Sequence, residues 1–195
     1  MTNDELYNLI KNRRSYRRWT YKKVPTNILN RIAECGVYAP SGANTQKVKI
    51  QIVTDPETIE NICKNTSDWF YKSYPTSILT VYFDLNVKDT LKLNYLTPHK
   101  YWSRLIWQDS ASSMTNMMLM AEAYELKTCW VSVRPDTNNK YEQNIREILD
   151  IPDNYIITSF LFIGYSDDKI DYETFIHQGK KIKRDLDNII KEENK

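Results

Sequence analysis

One long helical pattern constrains the fold of this 195-residue chain more than any other sequence feature. Apolar residues recur at helical spacing over about residues 103–126, and the middle of this segment carries little charge. A helix that is apolar around most of its circumference must be buried, either inside a domain or in a subunit interface. We therefore expect a fold that covers this helix on most of its sides.

The patterns on either side of this helix predict one α+β domain over residues 1–195. Thr2 and Glu5 form a capping box that begins a short helix, and the continuously apolar strand at 78–83 is expected to be central in a sheet. Residues 85–101 show no regular period and are predicted to form an excursion. The other predicted elements are helices at 25–39, 55–64 and 141–149, strands at 48–53, 128–133 and 156–163, and a short amphipathic helix after Gly179.

Composition argues against several classes of partner. Hydrophobic residues make up 41% of the chain and charged residues 27%, values typical of a globular protein. The net charge of +2 is too small to indicate a nucleic-acid or membrane surface. The longest apolar stretches, such as 78–83 and 160–163, are too short to span a bilayer. We therefore expect no nucleic acid and no membrane among the partners.

Cysteine and histidine usage shows no metal-ligand pattern. The three cysteines form no C-x-x-C pair, and the two histidines, His99 and His177, lie far apart in the sequence. Unpaired cysteines also argue against a disulfide framework and for a reducing compartment. Asp4 and Glu5 stand where a signal peptide would need basic and then apolar residues. We therefore expect a cytoplasmic protein without a metal site.

Glycine is scarce, since the chain has only four such residues: Gly36, Gly42, Gly164 and Gly179. Their spacing excludes the loops G-x-G-x-x-G and G-x-x-x-x-G-K-[ST], with which many proteins bind nucleotide phosphates. If this chain binds a phosphate, side chains must therefore supply more of the binding groups.

A basic segment near the amino terminus offers such side chains. It reads Arg13-Arg14-Ser15-Tyr16-Arg17-Arg18. Guanidinium groups bind phosphate through paired hydrogen bonds and stay charged, and a serine hydroxyl adds a donor. Taken alone, the segment is equally compatible with a solvated basic surface. An RNA-binding module is a further interpretation, which the small net charge disfavours.

A second candidate binding segment is the loop at residues 39–46, between a predicted helix and a predicted strand. It reads Ala39-Pro40-Ser41-Gly42-Ala43-Asn44-Thr45-Gln46 and is dense in small polar side chains. Its glycine would let the backbone approach a ligand closely. An ordinary helix-to-strand connection is the alternative interpretation.

Together these two segments resemble the nitroreductase family of flavin enzymes. R-R-S-x-R near the amino terminus is followed by A-P-S-x-x-N-x-Q, which leads into a predicted strand. Residues 109–121 and 126–130 look like that family's long central helix and following strand. Residues 145–165 resemble its late helix, its leucine-x-isoleucine-proline turn and a strand ending in glycine. The motifs occur in the family's order over most of the chain.

The resemblance implies a nitroreductase-like fold, in which a central mixed or antiparallel sheet is flanked by helices in an intertwined homodimer. FMN would bind at the subunit interface and touch both subunits. Arg13, Arg14 and Ser15 would hold its phosphate and ribityl chain, and Arg17 would lie near the pyrimidine edge of the flavin ring. The same comparison assigns to the flavin Pro40, Ser41, Asn44 and Gln46 from the other subunit, Lys72 near the ring, and Lys181 with Lys183 or Arg184 over the phosphate.

The sequence departs from the family pattern in two places. The proline that usually follows the loop glutamine and precedes a tryptophan is absent, since the chain reads Gln46-Lys47-Val48. The glycine pair common at the end of the long helix is replaced by Tyr124-Glu125-Leu126. The second departure lies near where the family's backbone faces the flavin.

The resemblance further implies an oxidoreductase. Hydride would pass from NADH or NADPH to FMN and then, in a ping-pong cycle, to a nitroaromatic, a quinone or a related small electrophile. No side chain need act as nucleophile or general acid, so we assign no catalytic residue. Similar proteins dehalogenate aromatic rings, reduce enoates, oxidise azoline rings or fragment flavin, and substrate choice is expected to lie within residues 68–107. A flavin-binding interaction protein without turnover is the alternative from another class.

Overall fold

The computed structural model of the protein describes residues 2–66, 73–85, 98–133, 140–169, 174–177 and 180–183, and only the backbone of 98–103, 174–177 and 180–183. The described helices are α1 (Asn3–Asn12), α2 (Thr26–Val37), α3 (Pro56–Lys64), α4 (Pro98–Ala123) and α5 (Lys140–Leu149). The described strands are β1 (Val48–Val53), β2 (Ser77–Asp84), β3 (Lys127–Val131), β4 (Tyr155–Gly164), β5 (Thr174–His177) and β6 (Lys180–Lys183). A 3₁₀ turn at Gly42–Asn44 lies between α2 and β1.

Four of the strands form one antiparallel sheet in the order β1-β2-β4-β3. The pairing of β1 with β2 runs from Val48↔Phe83 to Val53↔Ile78. Strand β2 is central, as predicted for residues 78–83, because it also pairs with β4 on its other side. Helices packed on an antiparallel sheet confirm the predicted α+β class.

The core lies on both faces of this sheet, and β4 contributes to each side. Phe160 and Phe162 are fully buried in a cluster with side chains of α3 and α5. Leu161 and Ile163 are fully buried in a second cluster with side chains of α2 and α4. This division follows from strand geometry, because successive side chains point to opposite faces of a sheet.

Helix α4 is the long buried helix that the sequence predicts. Met114, Met117 and Ala121 have no exposed surface, which confirms the predicted burial. The helix begins at Pro98 rather than near residue 103, so the last residues of the predicted excursion are helical. Residues 86–97 of that excursion lie outside the described part of the chain.

The end of α4 was predicted at residue 126, but the helix stops at Ala123 because the backbone reverses at Glu125. Glu125 has a φ of 59°, in the left-handed region, and its N–H donates to the Glu122 carbonyl at 2.9 Å. The Leu126 N–H donates to the Ala121 carbonyl at 2.9 Å. These two bonds form the helix-terminating Schellman motif, which usually has glycine at the left-handed position. Leu126 is thus the buried residue that follows the turn into β3.

The carboxyl-terminal region contains a hairpin that the sequence patterns did not reveal. Strands β5 and β6 pair antiparallel from Thr174↔Lys183 to His177↔Lys180. Three of the four residues of β6 are lysines, so it lacks an apolar alternation. The amphipathic helix predicted after Gly179 falls on residues 184–195, outside the described part of the chain. Among the described helices, none has the length and apolar character needed to cross a bilayer.

Candidate functional site

The arginine segment, residues 13–18, lies along the outer edge of the sheet. Strand β3 is the last strand in the sheet order, with β4 on one side only. On its other side, Ser15 forms a parallel bridge with Thr128, and the Tyr16 N–H donates to the Thr128 carbonyl at 2.9 Å. Trp19, which is 4% exposed, packs against Phe162 with ring centroids 6.1 Å apart. Backbone pairing and one buried indole therefore fix this segment to the sheet.

The side chains of this segment differ in exposure. Arg13, Arg14, Ser15 and Arg17 are each partly buried, whereas Arg18 is exposed and pairs with Asp168 at 3.4 Å. One terminal nitrogen of Arg14, Nη1, donates to the carbonyls of Lys11 at 2.6 Å and Arg13 at 2.9 Å. The Nη1 atom of Arg17 lies 3.4 Å from the Ser15 carbonyl. Backbone carbonyls thus orient two of the guanidinium groups, which are only partly solvated.

Cys129 of β3 is a buried thiol whose pKa is influenced by three residues of the segment. Its side chain is buried, and burial raises the pKa of the thiol. The positive charges of Arg17 and Arg13 and a hydrogen bond with the Ser15 side chain act in the opposite direction on the same pKa. The Ser15 side chain therefore lies within hydrogen-bond reach of Cys129, and Arg13 and Arg17 add positive charge to this part of the sheet edge.

The polar loop at residues 41–46 has an unusual backbone. Ala43, Asn44 and Gln46 have φ values of 51°, 54° and 53°, in the left-handed region that non-glycine residues seldom adopt. Two hydrogen bonds close the loop: the Gln46 N–H donates to Ser41 Oγ, and Gln46 Nε2 donates to Asn44 Oδ1, both at 3.1 Å. The left-handed residues and the two hydrogen bonds therefore define one backbone conformation of the loop. An ordinary helix-to-strand connection would not need such a conformation.

Helix α4 contacts this loop at Gly42. The Gly42 N–H donates to Asp109 Oδ1 at 2.9 Å. A β-carbon on Gly42 would overlap Leu105 Cδ2 and would lie 3.0 Å from Leu105 Cδ1. Glycine is therefore needed here because the loop backbone passes so close to the helix.

Asp109 is a residue of this site to which the sequence patterns assigned no role. It is 4% exposed. Burial raises its pKa, and the hydrogen bond from the Gly42 N–H partly offsets that rise. The sequence did contain a signal for Asp109, since it is the first acidic residue in a helix predicted to be buried. Its contact with Gly42 could not be predicted, because the two positions are 67 residues apart.

A small cavity of about 40 Å³ lies between the loop and α4. Three of the predicted flavin-binding residues, Pro40, Ser41 and Gln46, line it together with Asp109 and Ser113. None of the residues of the arginine segment, all of which are described, lines this cavity. Within one chain the two predicted segments thus lie on different elements, one at the sheet edge and one beside α4.

The structure places the remaining predicted residues as follows. Asn44 is exposed in the loop, and Lys181 and Lys183 lie on β6, of which only the backbone is described. Lys72 and Arg184 fall outside the described residues. No cluster of histidine, cysteine or carboxylate side chains that could hold a metal ion occurs among the described residues.

Comparison with protein families gives one match that spans both segments. The family model described as "Nitroreductase family" matches residues 10–165 of this chain. A relative from Archaeoglobus fulgidus, named "Putative NADH dehydrogenase/NAD(P)H nitroreductase", is 24% identical over 169 residues, which are 87% of this chain and 90% of that protein. The resemblance seen in the sequence motifs is confirmed.

Solved structures show the same fold. An "FMN-dependent Nitroreductase" from Clostridium difficile R20291 has a TM-score of 0.71 at 23% identity, covering 96% of this chain and 99% of that one. A "putative nitroreductase in complex with fmn" from Desulfovibrio desulfuricans has a TM-score of 0.72 at 21% identity, covering 99% of both chains. Nitroreductase A from Vibrio parahaemolyticus has a TM-score of 0.73 at 21% identity, covering 97% of this chain and 82% of that one.

Proposed function

The chain belongs to the nitroreductase family, and we propose that it is an FMN-dependent oxidoreductase that uses NADH or NADPH to reduce a small electrophile such as a nitroaromatic compound or a quinone. The observation that carries this proposal is the family match over residues 10–165, which includes the partly buried Arg13, Ser15 and Arg17 of the segment that the Ser15–Thr128 bridge joins to β3. The names of the Clostridium and Desulfovibrio structures, which mention FMN, support the choice of cofactor.

The chemistry of the arginine segment fits FMN. Arg13 and Arg14 provide guanidinium groups for the phosphate, and the Ser15 hydroxyl provides a further donor. Arg17 is assigned to the pyrimidine edge of the flavin, where a positive charge favours the anionic reduced ring. Lys181 and either Lys183 or Arg184 are assigned to close over the phosphate, and Lys72 to the ring.

When bound, FMN supplies the redox chemistry, because it can accept hydride from NADH or NADPH and deliver electrons to an acceptor. The protein's own residues bind and orient. In the proposed site, Pro40, Ser41, Asn44 and Gln46 position the ring, and their fixed left-handed loop limits the orientations the ring can adopt. No side chain is assigned a covalent role or a proton-transfer role.

We also propose a homodimer in which the loop of one subunit meets the arginine segment of the other. Helix α1 buries none of its residues within the chain, although it carries an apolar face. A groove of about 280 Å³ lies beside it, lined by Leu6, Leu9, Cys35, Tyr38, Asn116, Leu119, Met120 and Ala123. Exposed apolar surface of this kind is typical of an interface, and a second copy of the chain is the proposed occupant.

This arrangement also agrees with the separation of the two segments within one chain. No residue of the fully described arginine segment lines the cavity beside the loop. A second subunit would bring the loop of one chain to the arginine segment of the other. The free state of all three cysteines is consistent with a reducing compartment, and we propose a cytoplasmic location.

Anaerobic visible spectroscopy of the purified protein tests the proposed activity. The protein is expected to be yellow or to become so on addition of FMN, to lose the flavin absorbance with NADH or NADPH, and to regain it with a nitroaromatic or a quinone. Protein that binds no added FMN would contradict the flavin site. Bound flavin that neither NADH nor NADPH reduces would support a flavin-binding protein without turnover. Light scattering during size exclusion tests the dimer separately.

A further inference from the structure

We propose that Asp109 is a positioning residue that holds the loop at residues 41–46 in its ligand-binding conformation. This inference rests on the proposed flavin site and deepens it. Asp109 belongs to α4, not to either predicted binding segment, and it touches the loop through one backbone hydrogen bond, from the Gly42 N–H.

The loop needs an external support because its own backbone is strained. Three of its non-glycine residues have φ values between 51° and 54°. Residues in that region cost free energy and persist only where the surroundings hold them. The bond between Ser41 Oγ and the Gln46 N–H fixes the end of the loop that leads into β1. At the beginning of the 3₁₀ turn, the described support comes from α4, through Asp109 and the close contact with Leu105.

The environment of Asp109 is unfavourable for a carboxylate, because the side chain is buried and only partly hydrogen-bonded. The residue is 4% exposed, and in the described part of the chain its second oxygen, Oδ2, has no hydrogen-bond partner. Burying such a group costs stability unless its hydrogen bonds compensate. The bond to the Gly42 N–H is therefore the interaction through which Asp109 can contribute.

The cavity next to Asp109 indicates what the bond controls. Pro40, Ser41 and Gln46 line the cavity together with Asp109, so the carboxylate lies beside the residues assigned to the flavin. Asp109 thus acts through the loop and is not assigned to touch the cofactor. Losing its hydrogen bond is expected to loosen the loop while leaving the arginine segment in place, because that segment is fixed to β3.

The test compares Asp109→Ala, which removes the acceptor, with Asp109→Asn, which keeps an oxygen in the same place. Ser113→Ala is the matched control, since Ser113 lines the same cavity and is equally buried but does not bond Gly42. In the protein without flavin, amide hydrogen exchange of Gly42 is expected to become about tenfold faster in Asp109→Ala and to stay within about threefold in the other two variants. The Tyr16 amide, bonded to Thr128, is expected to be unchanged in all three variants.

FMN titration supplies the second readout. Asp109→Ala is expected to bind FMN about tenfold more weakly, with Asp109→Asn restoring most of the affinity. If Asp109→Ala does not fold, as judged by circular dichroism, Asp109→Leu replaces it because leucine has the same branched arrangement of heavy atoms without an acceptor.

Equal Gly42 exchange in the alanine and wild-type proteins would overturn the proposal. A loss of FMN affinity in Asp109→Asn as large as that in Asp109→Ala would also overturn it. If the wild-type protein binds no FMN, the proposed function fails, whereas the exchange measurement on the flavin-free protein still decides whether Asp109 positions the loop.

Discussion

The arginine segment and the loop at residues 41–46 are assigned to the same ligand, but different interactions hold them in place. The arginine segment is fixed by its backbone, through the Ser15–Thr128 bridge and the Tyr16 N–H. The loop is fixed by side-chain acceptors on Asp109 and Ser41, against an unfavourable backbone conformation. The partly buried polar side chains of the first region can therefore change with little effect on the fold, whereas changes in the second region affect folding and binding together.

The largest expected effect is on cofactor affinity in the arginine segment. The double substitution Arg13→Ala with Ser15→Ala is expected to weaken FMN binding about 100-fold, because hydrogen bonds that involve a charged group contribute about 1.5–3 kcal/mol each. The free energy of unfolding is expected to change by less than about 1 kcal/mol, since the backbone pairing with β3 remains. Fluorescence titration and chemical denaturation measure the two quantities. Arg18→Ala is the control, because Arg18 is exposed and pairs with Asp168.

Gly42→Ala, in the loop, is expected to lower both the free energy of unfolding and the FMN affinity, unlike the double substitution in the arginine segment. The new β-carbon would overlap the Leu105 side chain, which is only 5% exposed and has little room to move. Overpacking of this kind costs about 1–3 kcal/mol. A double-mutant cycle with Leu105→Ala checks the cause, since the cost of Gly42→Ala should fall in that background. An unchanged cost would place the effect elsewhere.

Gly164→Ala disturbs the arginine segment through its anchor rather than through its charges. A β-carbon on Gly164 would lie 2.7 Å from Trp19 Cδ1, and Trp19 is buried against Phe162. The expected cost in unfolding free energy is about 1–2 kcal/mol, accompanied by weaker FMN binding. Thermal denaturation and FMN titration measure both. Full FMN affinity in a clearly destabilised variant would show that Trp19 does not position the arginines.

The smallest expected effect concerns left-handed residues outside the site. Glu125 and Asp150 have φ values of 59° and 51° at the ends of α4 and α5. Replacing either by glycine is expected to raise the free energy of unfolding by about 0.5–1 kcal/mol, because glycine adopts this conformation without steric cost. Chemical denaturation measures the change, and each variant is a control for the other. A loss of stability in both would contradict the assigned backbone strain.

The sequence predicted the elements of the fold because their signals are local. Strand β1 was predicted at 48–53 and is observed there, since its alternation needs no distant partner. The Thr2–Glu5 capping box is likewise observed where it was predicted, and the helix predicted at 55–64 is observed at Pro56–Lys64. The predicted end of α4 was wrong because Glu125 occupies the left-handed position, where a glycine would have marked the end of the helix in the sequence.

The contacts that build the site could not be predicted in the same way. Asp109 meets Gly42 across 67 residues, and Ser15 meets Thr128 from the opposite part of the chain. Such pairings depend on how the sheet and helices assemble, and no periodicity in one segment reports them. The residue types of the arginine segment nevertheless suggested a phosphate site, and the resemblance to the nitroreductase family suggested where a flavin ring would bind. Those assignments stay predictions.

Parallel titrations of the flavin-free wild-type protein with FMN and with riboflavin test the central claim most directly. The two ligands share the ring and the ribityl chain and differ only in the phosphate, which the arginine segment is proposed to hold. FMN is expected to bind at least about tenfold more tightly than riboflavin, because charge-assisted hydrogen bonds to the phosphate are absent for riboflavin. Equal affinities, or no binding of either ligand, would contradict the proposed role of Arg13, Arg14 and Ser15.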